Sequence, residues 1–465
     1  MTASIRIPSV EKERVAVLGL ARSGLAAAAA LATSGAEVWA WDDDPAKRER
    51  AASKGIVCRG LADADLSGVL GLVISPGIPH TYPKPHPVAA RAKAAGVPLI
   101  SDIELLARAC PQARYIGVTG TNGKSTTTTL IGHLLKETGK PIQVGGNLGV
   151  PALSLAPLGK GGIYVLEMSS YQLELIPRLV FDISVLLNIA PDHLDRHGGM
   201  RGYIAAKRRI FERQDSEDTA VIAIDDPDSE AIYDDLVANG RQHVVPVSAT
   251  RMVMGGIFVE DGLLTDDTGG WGTPVLDLGL APTLPGKHNW QNAAAAYAVA
   301  NLFEIGHRAI ARSLLTYPGL AHRQERIAVI DGITYVNDSK ATNADAASKA
   351  LACYERIYWI AGGRAKEGGI ESLAAYFPRI RHAFLIGEAT DGFARTLDGL
   401  VPYTRSGDLA SAVAAATAKA LADGSANAIV LLSPACASFD QFTDFEARGE
   451  AFRGLVRVLP GARAA

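Results

Sequence analysis

Short apolar runs alternate along nearly the whole chain with longer stretches whose apolar positions recur at helical spacing. The predicted strands are Arg14–Leu18, Glu37–Trp41, Leu72–Ser75, Tyr115–Thr119, Ile163–Glu167, Val185–Asn188, Ile357–Ala361, His382–Ile386 and Ala428–Ser433. Alternation of this kind implies parallel sheets with helical crossovers, because parallel neighbours cannot be joined by a tight turn. The expected fold class is therefore α/β. Two stretches depart from the rhythm. Ile327–Ile330 and Ile333–Val336 flank Asp331-Gly332, a favoured two-residue hairpin turn, and Val245–Trp271, rich in Gly and Asp, reads as a β-rich excursion.

A chain of 465 residues exceeds one compact core, and roughly 100–200 residues per domain suggests about three. The pattern breaks into 1–103, 104–318 and 319–465. The first block carries a proline-rich loop, Ser75-Pro76-Gly77-Ile78-Pro79 through Tyr82-Pro83-Lys84-Pro85-His86-Pro87, at a strand end. Composition changes this picture little: 48% hydrophobic and 20% charged residues describe an ordinary globular protein. A net charge of −3 offers no footprint for a nucleic-acid backbone or an anionic membrane. Met1 to Val10 has no apolar core of a secretory leader, and Leu25–Ala32 is too short to span a bilayer. Cys58, Cys110, Cys353 and Cys436 lie far apart without CxxC spacing, as reduced thiols of a cytoplasmic protein would.

The sharpest local signal is Gly120-Thr121-Asn122-Gly123-Lys124-Ser125-Thr126, between a predicted strand and a predicted helix, Thr127–Glu137. Glycines let backbone N–H groups close around phosphate oxygens, a lysine reaches the terminal phosphates, and the Ser125 hydroxyl can hold Mg²⁺. Val118 stands where the strict motif has its first glycine, so the loop is a variant. Glu167 ends a buried-looking strand, and Asn188-Ile189-Ala190-Pro191-Asp192-His193-Leu194-Asp195-Arg196-His197 ends another. Ligands collect at the carboxyl ends of such strands, and Mg²⁺ needs a few protein oxygens there. From spacing alone Lys207 reads as a base on a solvated helix face, and Asn289 and Asn292 read as residues capping a helix start.

Gly19-Leu20-Ala21-Arg22-Ser23-Gly24 follows the first strand, with Asp42 and Asp43 after the second. It approximates the dinucleotide fingerprint with Ala21 in place of the middle glycine, which crowds the pyrophosphate. The block is expected to bind a diphosphate nucleotide, and an NAD-dependent dehydrogenase stays open as an alternative. So does a P-loop module without catalysis. In the third block, Val336 to Asn343 and Leu431 to Phe442 each bring small polar groups to a strand end. A lysine beside hydroxyls at a helix start suits a carboxylate, although Ser339 and Ser438 could equally be helix caps. Arg323, at the block junction, could fold onto a phosphate.

Assembled, these residues resemble the Mur ligases of bacterial peptidoglycan synthesis along essentially the whole chain. Gly120 to Thr126 is similar to the family's ATP loop, while Glu167, Asn188 to His197 and His288 to Asn292 follow its central pattern. Asp338 to Asn343 and Ser433 to Ser438 resemble the D-glutamate-adding branch; other Mur specificities and folylpolyglutamate synthase share the loop but not these motifs. The resemblance implies a Rossmann-like N-terminal domain, a central P-loop ATPase-like domain and a Rossmann-like C-terminal domain. It implies ATP and two Mg²⁺ ions, joining D-glutamate to UDP-N-acetylmuramoyl-L-alanine through an acyl phosphate in a cytoplasmic monomer.

Residue by residue, the resemblance implies that Lys124, Glu167, His193 and Lys207 are catalytic. It gives Mg²⁺ to Ser125, Glu167, His193 and a carbamylated Lys207. Gly120 to Thr126, Asn289, Asn292, Arg323 and Asp338 would bind ATP. Gly19, Leu20, Ala21, Arg22, Ser23, Ser75, Pro76, Gly77, Asn147 and His193 would bind the uridine-linked substrate. Lys340, Thr342, Ser438 and Phe445 would bind D-glutamate.

Overall fold

The strand–helix alternation resolves into three sheets in the computed structural model, which describes residues 5–365, 369–424, 427–461 and 463–464. Residues 1–4 of the leader reading lie outside the described residues. The chain divides into two compact units: Met1–Leu278 with Asn289–Leu314, and Gly279–His288 with Leu315–Ala465.

The first unit holds two sheets. One is four-stranded and parallel, in the order Glu37–Trp41, Arg14–Leu18, Gly71–Ile74, Leu99–Ile100. The chain reverses direction across Arg14–Leu18, and the crevice outside the carboxyl ends of such strands is where open α/β sheets bind ligands. The other has nine strands, with Arg114–Thr119 between Ile163–Glu167 and Ile183–Leu186. Ile142–Gly146 closes one side, and Thr219–Ala223 and His243–Ser248 extend the other in parallel. The expected β-rich excursion forms Ile257–Glu260, Leu263–Asp266 and Thr273–Asp277, the last two pairing antiparallel.

Val, Ile and Leu fill the central strands without alternation because helices cover both faces. Ile163–Glu167 and Ile183–Leu186 are buried at every position.

The second unit carries a seven-stranded sheet in the order Tyr403–Gly407, Ile380–Ile386, Ile357–Gly362, Ile429–Leu432, Ile333–Asn337, Glu325–Ile330, Arg463–Ala464. The hairpin forms where Asp331-Gly332 places it, with Ile330 opposite Ile333. Trp359 is fully buried at its centre, and its indole N–H donates to the Ser433 carbonyl at 2.8 Å. Truncating such a side chain costs about 3–5 kcal/mol, and here it would also loosen the strand end that carries Ser433.

The capping alternative for Ser339 and Ser438 does not hold. Asn343 and Asp444, not Ser339 and Ser438, cap the helices Ala344–Cys353 and Phe445–Arg457, accepting from the Ala346 and Ala447 N–H groups. Both true caps sit directly before the helix they start, whereas Ser339 and Ser438 lie further upstream, in the segments that follow Ile333–Asn337 and Ile429–Leu432.

Candidate active site

Gly120 and Gly123 take φ of +153° and +83°, backbone a side chain would strain. A Cβ on Gly123 would lie 2.2 Å from Asn292 Oδ1, so the loop is packed against the helix Lys287–Asn301 as well as bent. The helix Lys124–Leu134 has no side-chain cap, and its first N–H groups remain available to an anion. The loop is pinned from one neighbouring strand end. Thr121 N–H donates to the Asn188 carbonyl at 2.9 Å and Asn122 N–H to Asn188 Oδ1 at 2.8 Å. Asn188 Nδ2 in turn donates to Gln291 Oε1, and Gln291 to Asp225.

Two lysines converge on this loop. Lys124 Nζ donates to the Gly120 and Thr121 carbonyls at 2.7 and 2.8 Å. Lys207 Nζ donates to the same Gly120 carbonyl at 2.8 Å and lies over the Tyr203 ring. Lys207 is 1% exposed, so the solvated-face reading is overturned: its helix turns this position inward, under the loop. Burial, with the Lys124 charge added, holds its ammonium far below the ordinary lysine range. Asp192 and Glu167 pull the other way.

Glu167 ends its strand buried. Asn147 Nδ2 donates to Oε1 at 2.8 Å, and Oε2 is buried without a hydrogen-bond partner. A buried carboxylate oxygen left unpaired beside a phosphate loop fits a cation ligand. Among the described residues no group of three or more His, Cys, Asp or Glu side chains is placed to hold a metal. His193 is half-exposed in a left-handed conformation at the start of the short helix Leu194–His197, its ring 5.2 Å from that of Tyr171. Burial, opposed by Asp192 and reinforced by Lys124, His197 and Lys207, pushes its imidazolium below the ordinary histidine range.

Asn289 and Asn292 are not caps. Both are buried inside the helix Lys287–Asn301, Asn292 Nδ2 donates to Asn289 Oδ1 at 3.1 Å, and Thr127 donates to Asn292.

A cavity of about 650 Å³ opens on the first sheet. Gly19, Ala21, Arg22, Ser23, Ser75, Pro76, Gly77 and Asn147 line it together; Leu20 and His193 do not. Leu20 is buried, with its N–H donating to Asp42 Oδ2 at 2.8 Å. Asp42 also accepts from Asp44 N–H and faces Lys47, so it shapes the turn while lining the cavity with Asp43 and Lys47. Asp43 is engaged by His86 and Trp41.

In the second unit, Asp338 is buried, accepting from Ser433 Oγ at 2.8 Å and Gln324 N–H at 3.1 Å. Burial pushes its carboxyl up to about 7 against those bonds and the Arg323 charge. Lys340 Nζ lies 4.6 Å from the centre of the Phe445 ring, and its N–H donates to the His322 carbonyl. Ser438 is buried, and its carbonyl accepts from Phe442 N–H; Thr342 N–H donates to the Lys340 carbonyl.

Arg448 escapes sequence reading because a single arginine on a polar helix looks solvated. It is fully buried, with Nε donating to Ser339 Oγ and Nη2 to the Ser339 and Cys436 carbonyls. It thus ties together the two motifs that end neighbouring strands. Its partners are a hydroxyl and backbone carbonyls, so no charge pattern in the sequence announces it.

Loops at strand ends, an ATP-type phosphate turn and a nucleotide-sized cavity are the anatomy of an ATP-dependent ligase. The Mur ligase middle domain matches residues 118–300, and the Mur ligase glutamate ligase domain matches residues 322–436. The chain belongs to the Mur ligase family. It is 53% identical to a UDP-N-acetylmuramoylalanine–D-glutamate ligase from Paramagnetospirillum magneticum, covering 99% of this chain and 100% of that one. It is 54% identical to the protein of the same name from Rhodospirillum rubrum, over 97% and 95%. Among solved structures, the UDP-N-acetylmuramate-alanine ligase of Thermotoga maritima shares the fold. Its TM-score is 0.58 at 17% identity, over 94% of this chain and 98% of that chain.

Proposed function

We propose that this chain ligates D-glutamate to UDP-N-acetylmuramoyl-L-alanine, with ATP hydrolysis, in peptidoglycan precursor synthesis. The observation that carries the ATP-dependent step is the pair of lysines meeting at the Gly120 carbonyl beneath an uncapped helix start. The choice of D-glutamate is supported by the full-length relatives.

A free carboxylate acylates an amine poorly because oxide would have to leave. The alanyl carboxylate therefore attacks the ATP γ-phosphorus, the bond to ADP breaks, and an acyl phosphate forms. The amine of D-glutamate adds to its carbonyl carbon, loses a proton, and inorganic phosphate leaves. Lys124 and the loop N–H groups steady the charge that spreads over the transferring phosphoryl oxygens. Asn289 and Asn292, buried and bonded to each other, would border the adenine, while Arg323 and Asp338 would complete the ATP site. Lys340, Thr342, Ser438 and Phe445 would take the D-glutamate. Gly19 to Ser23, Ser75 to Gly77 and Asn147 would hold the uridine-linked substrate, in a division of labour among 1–103, 104–318 and 319–465.

Ser125, Glu167, His193 and Lys207 would hold two Mg²⁺ ions, which neutralise phosphate charge. Burial disfavours the Lys207 ammonium, and the free amine is the form that attacks CO₂, so Lys207 fits carbamylation: an N–C bond forms and one proton is released. A carbamate would turn a buried base into a buried acid ligand. The enzyme is proposed to act as a cytoplasmic monomer. No helix among the described residues is long and apolar enough to cross a membrane.

The test is phosphate release with ATP, UDP-N-acetylmuramoyl-L-alanine and a panel of amino acids. D-Glutamate is expected to raise it strongly; no more release than with L-glutamate or water sinks the reading.

A further inference from the structure

One cluster of ionisable groups in the first unit lies between the nucleotide cavity and the phosphate loop without belonging to either. Glu174 follows the short helix Ser170–Leu173, on the segment that begins at Glu167. Its Oε2 lies 3.1 Å from His80 Nε2, and its Oε1 lies 3.4 Å from His197 Nδ1. His80 belongs to the proline-rich loop of the first sheet, just past the cavity-lining residues Gly77 to Pro79. His197 belongs to the loop that follows Asn188, and its side chain is wholly buried. Burial works to raise the Glu174 carboxyl, but the His197 and His80 imidazoles together bring it down to about 2. It is therefore an anion across the physiological range, seated between two rings.

Two further contacts join the same two loops. Arg196 Nη1 donates to the Gly77 carbonyl at 3.1 Å while its guanidinium lies over the Tyr171 ring at 4.5 Å. Gly198, at φ +68°, lets the Tyr82 ring come so close that a Cβ would sit 2.8 Å from it. The link then continues inward. His197 stacks on Tyr171 and donates or accepts at Ser170 Oγ, 2.9 Å away. Its ring also meets Tyr203 at 5.5 Å, and Tyr203 OH pairs with Thr121 Oγ1 of the phosphate loop at 3.0 Å.

We infer that Glu174 is a positioning residue for the nucleotide-linked substrate: bridging His80 and His197, it straps the Ser75–Tyr82 loop to the loop beside the phosphate turn. None of these side chains lines the cavity, so the strap acts through Gly77, whose carbonyl and neighbours do. A loop rich in proline needs an outside anchor, and here it comes from proximity of charge and not from hydrogen bonding: Glu174 Oε2 and His197 Nδ1 are buried without a hydrogen-bond partner, at ion-pair distance from His80 Nε2 and Glu174 Oε1. This rests on the reading of the first cavity as the uridine diphosphate site.

The test uses the full chain, with binding of UDP-N-acetylmuramoyl-L-alanine followed by calorimetry without ATP, and steady-state kinetics alongside. Glu174→Gln keeps the shape and removes the charge. It is expected to weaken that binding and raise the KM for this substrate about tenfold, with the KM for ATP held within about twofold. His80→Gln, on the less buried side, is expected to move the same constant in the same direction. If Glu174→Gln does not fold, His80→Gln decides alone. Binding equal to wild type in the folded variants overturns the strap, as does a parallel rise in both KM values. Failure of the wild type to bind this substrate overturns the cavity reading, and the strap with it.

Discussion

The first unit contains two glycine-bearing strand-to-helix turns, Gly19–Gly24 and Gly120–Thr126, and they differ in what stands behind them. Both leave a helix start without a side-chain cap, Arg22–Thr33 after the first and Lys124–Leu134 after the second. Both are tightly packed: a Cβ on Gly24 would lie 1.7 Å from the Gly19 carbonyl oxygen, and one on Gly123 would lie 2.2 Å from Asn292 Oδ1. The first turn is backed by a carboxylate, Asp42, which spends its oxygens on the Leu20 and Asp44 N–H groups. The second is backed by two ammonium groups that meet at one carbonyl. Backbone shape therefore makes an anion site possible in both places. What differs between them is the charge held against the backbone, a carboxylate at one turn and two ammonium groups at the other.

The largest effect expected of this difference is at Lys124. Lys124→Met keeps the stem and removes the charge, and phosphate release is expected to fall about a thousandfold. If the turn's geometry alone were sufficient, most activity would remain.

Next comes Lys207→Ala, expected to cost about a hundredfold or more. Short carboxylates added to the assay are expected to restore part of it, because they can occupy the place of a carbamate. Absence of any rescue counts against the modification.

A smaller change should follow at the other turn. Asp42→Asn leaves one oxygen to accept a backbone N–H, and the KM for the uridine-linked substrate is expected to rise about tenfold. The KM for ATP should stay put; if it moves equally, the two turns are not separate sites.

The smallest expected effect concerns the acid at a strand end in the second unit. Asp338 sits at about 7 when folded against an ordinary 3.8, so the folded state holds its proton more tightly. Its contribution to stability is present below about pH 4 and is lost as pH rises towards and through 7. Asn does not titrate there, so thermal stability of Asp338→Asn relative to the parent should improve steadily as pH rises from 5 to 8. An unchanged difference across that range would show that the carboxyl titrates normally.

Much of the architecture was legible because parallel strands buried on both faces are written as unbroken Val, Ile and Leu. Arg14–Leu18, Glu37–Trp41 and Ile163–Glu167 form at the expected residues, and the Asp331-Gly332 hairpin closes in the expected register. Other strand ends shift by one or two residues, as with Ile183–Leu186, because hydrogen bonding stops before hydrophobicity does. Lys207, Asn289, Asn292 and Arg448 were not legible from spacing. Their chemistry comes from burial against segments far away in the chain, and a helix pattern does not say which of its polar residues faces inward.

By itself, the sequence determined the α/β class, the phosphate turn and the strand ends where chemistry gathers, since these depend on local periodicity and on glycine's backbone freedom. Resemblance in the third block added the direction of specificity. Only the tertiary structure decided that Lys207 is a buried, depressed amine, that Asp42 accepts from the turn's Leu20 N–H, and that Glu174 lies between two histidines from different loops. The physical reason is common to all three. Desolvation and pairing of charge depend on which distant segments close over a group, and one-dimensional spacing carries no record of that.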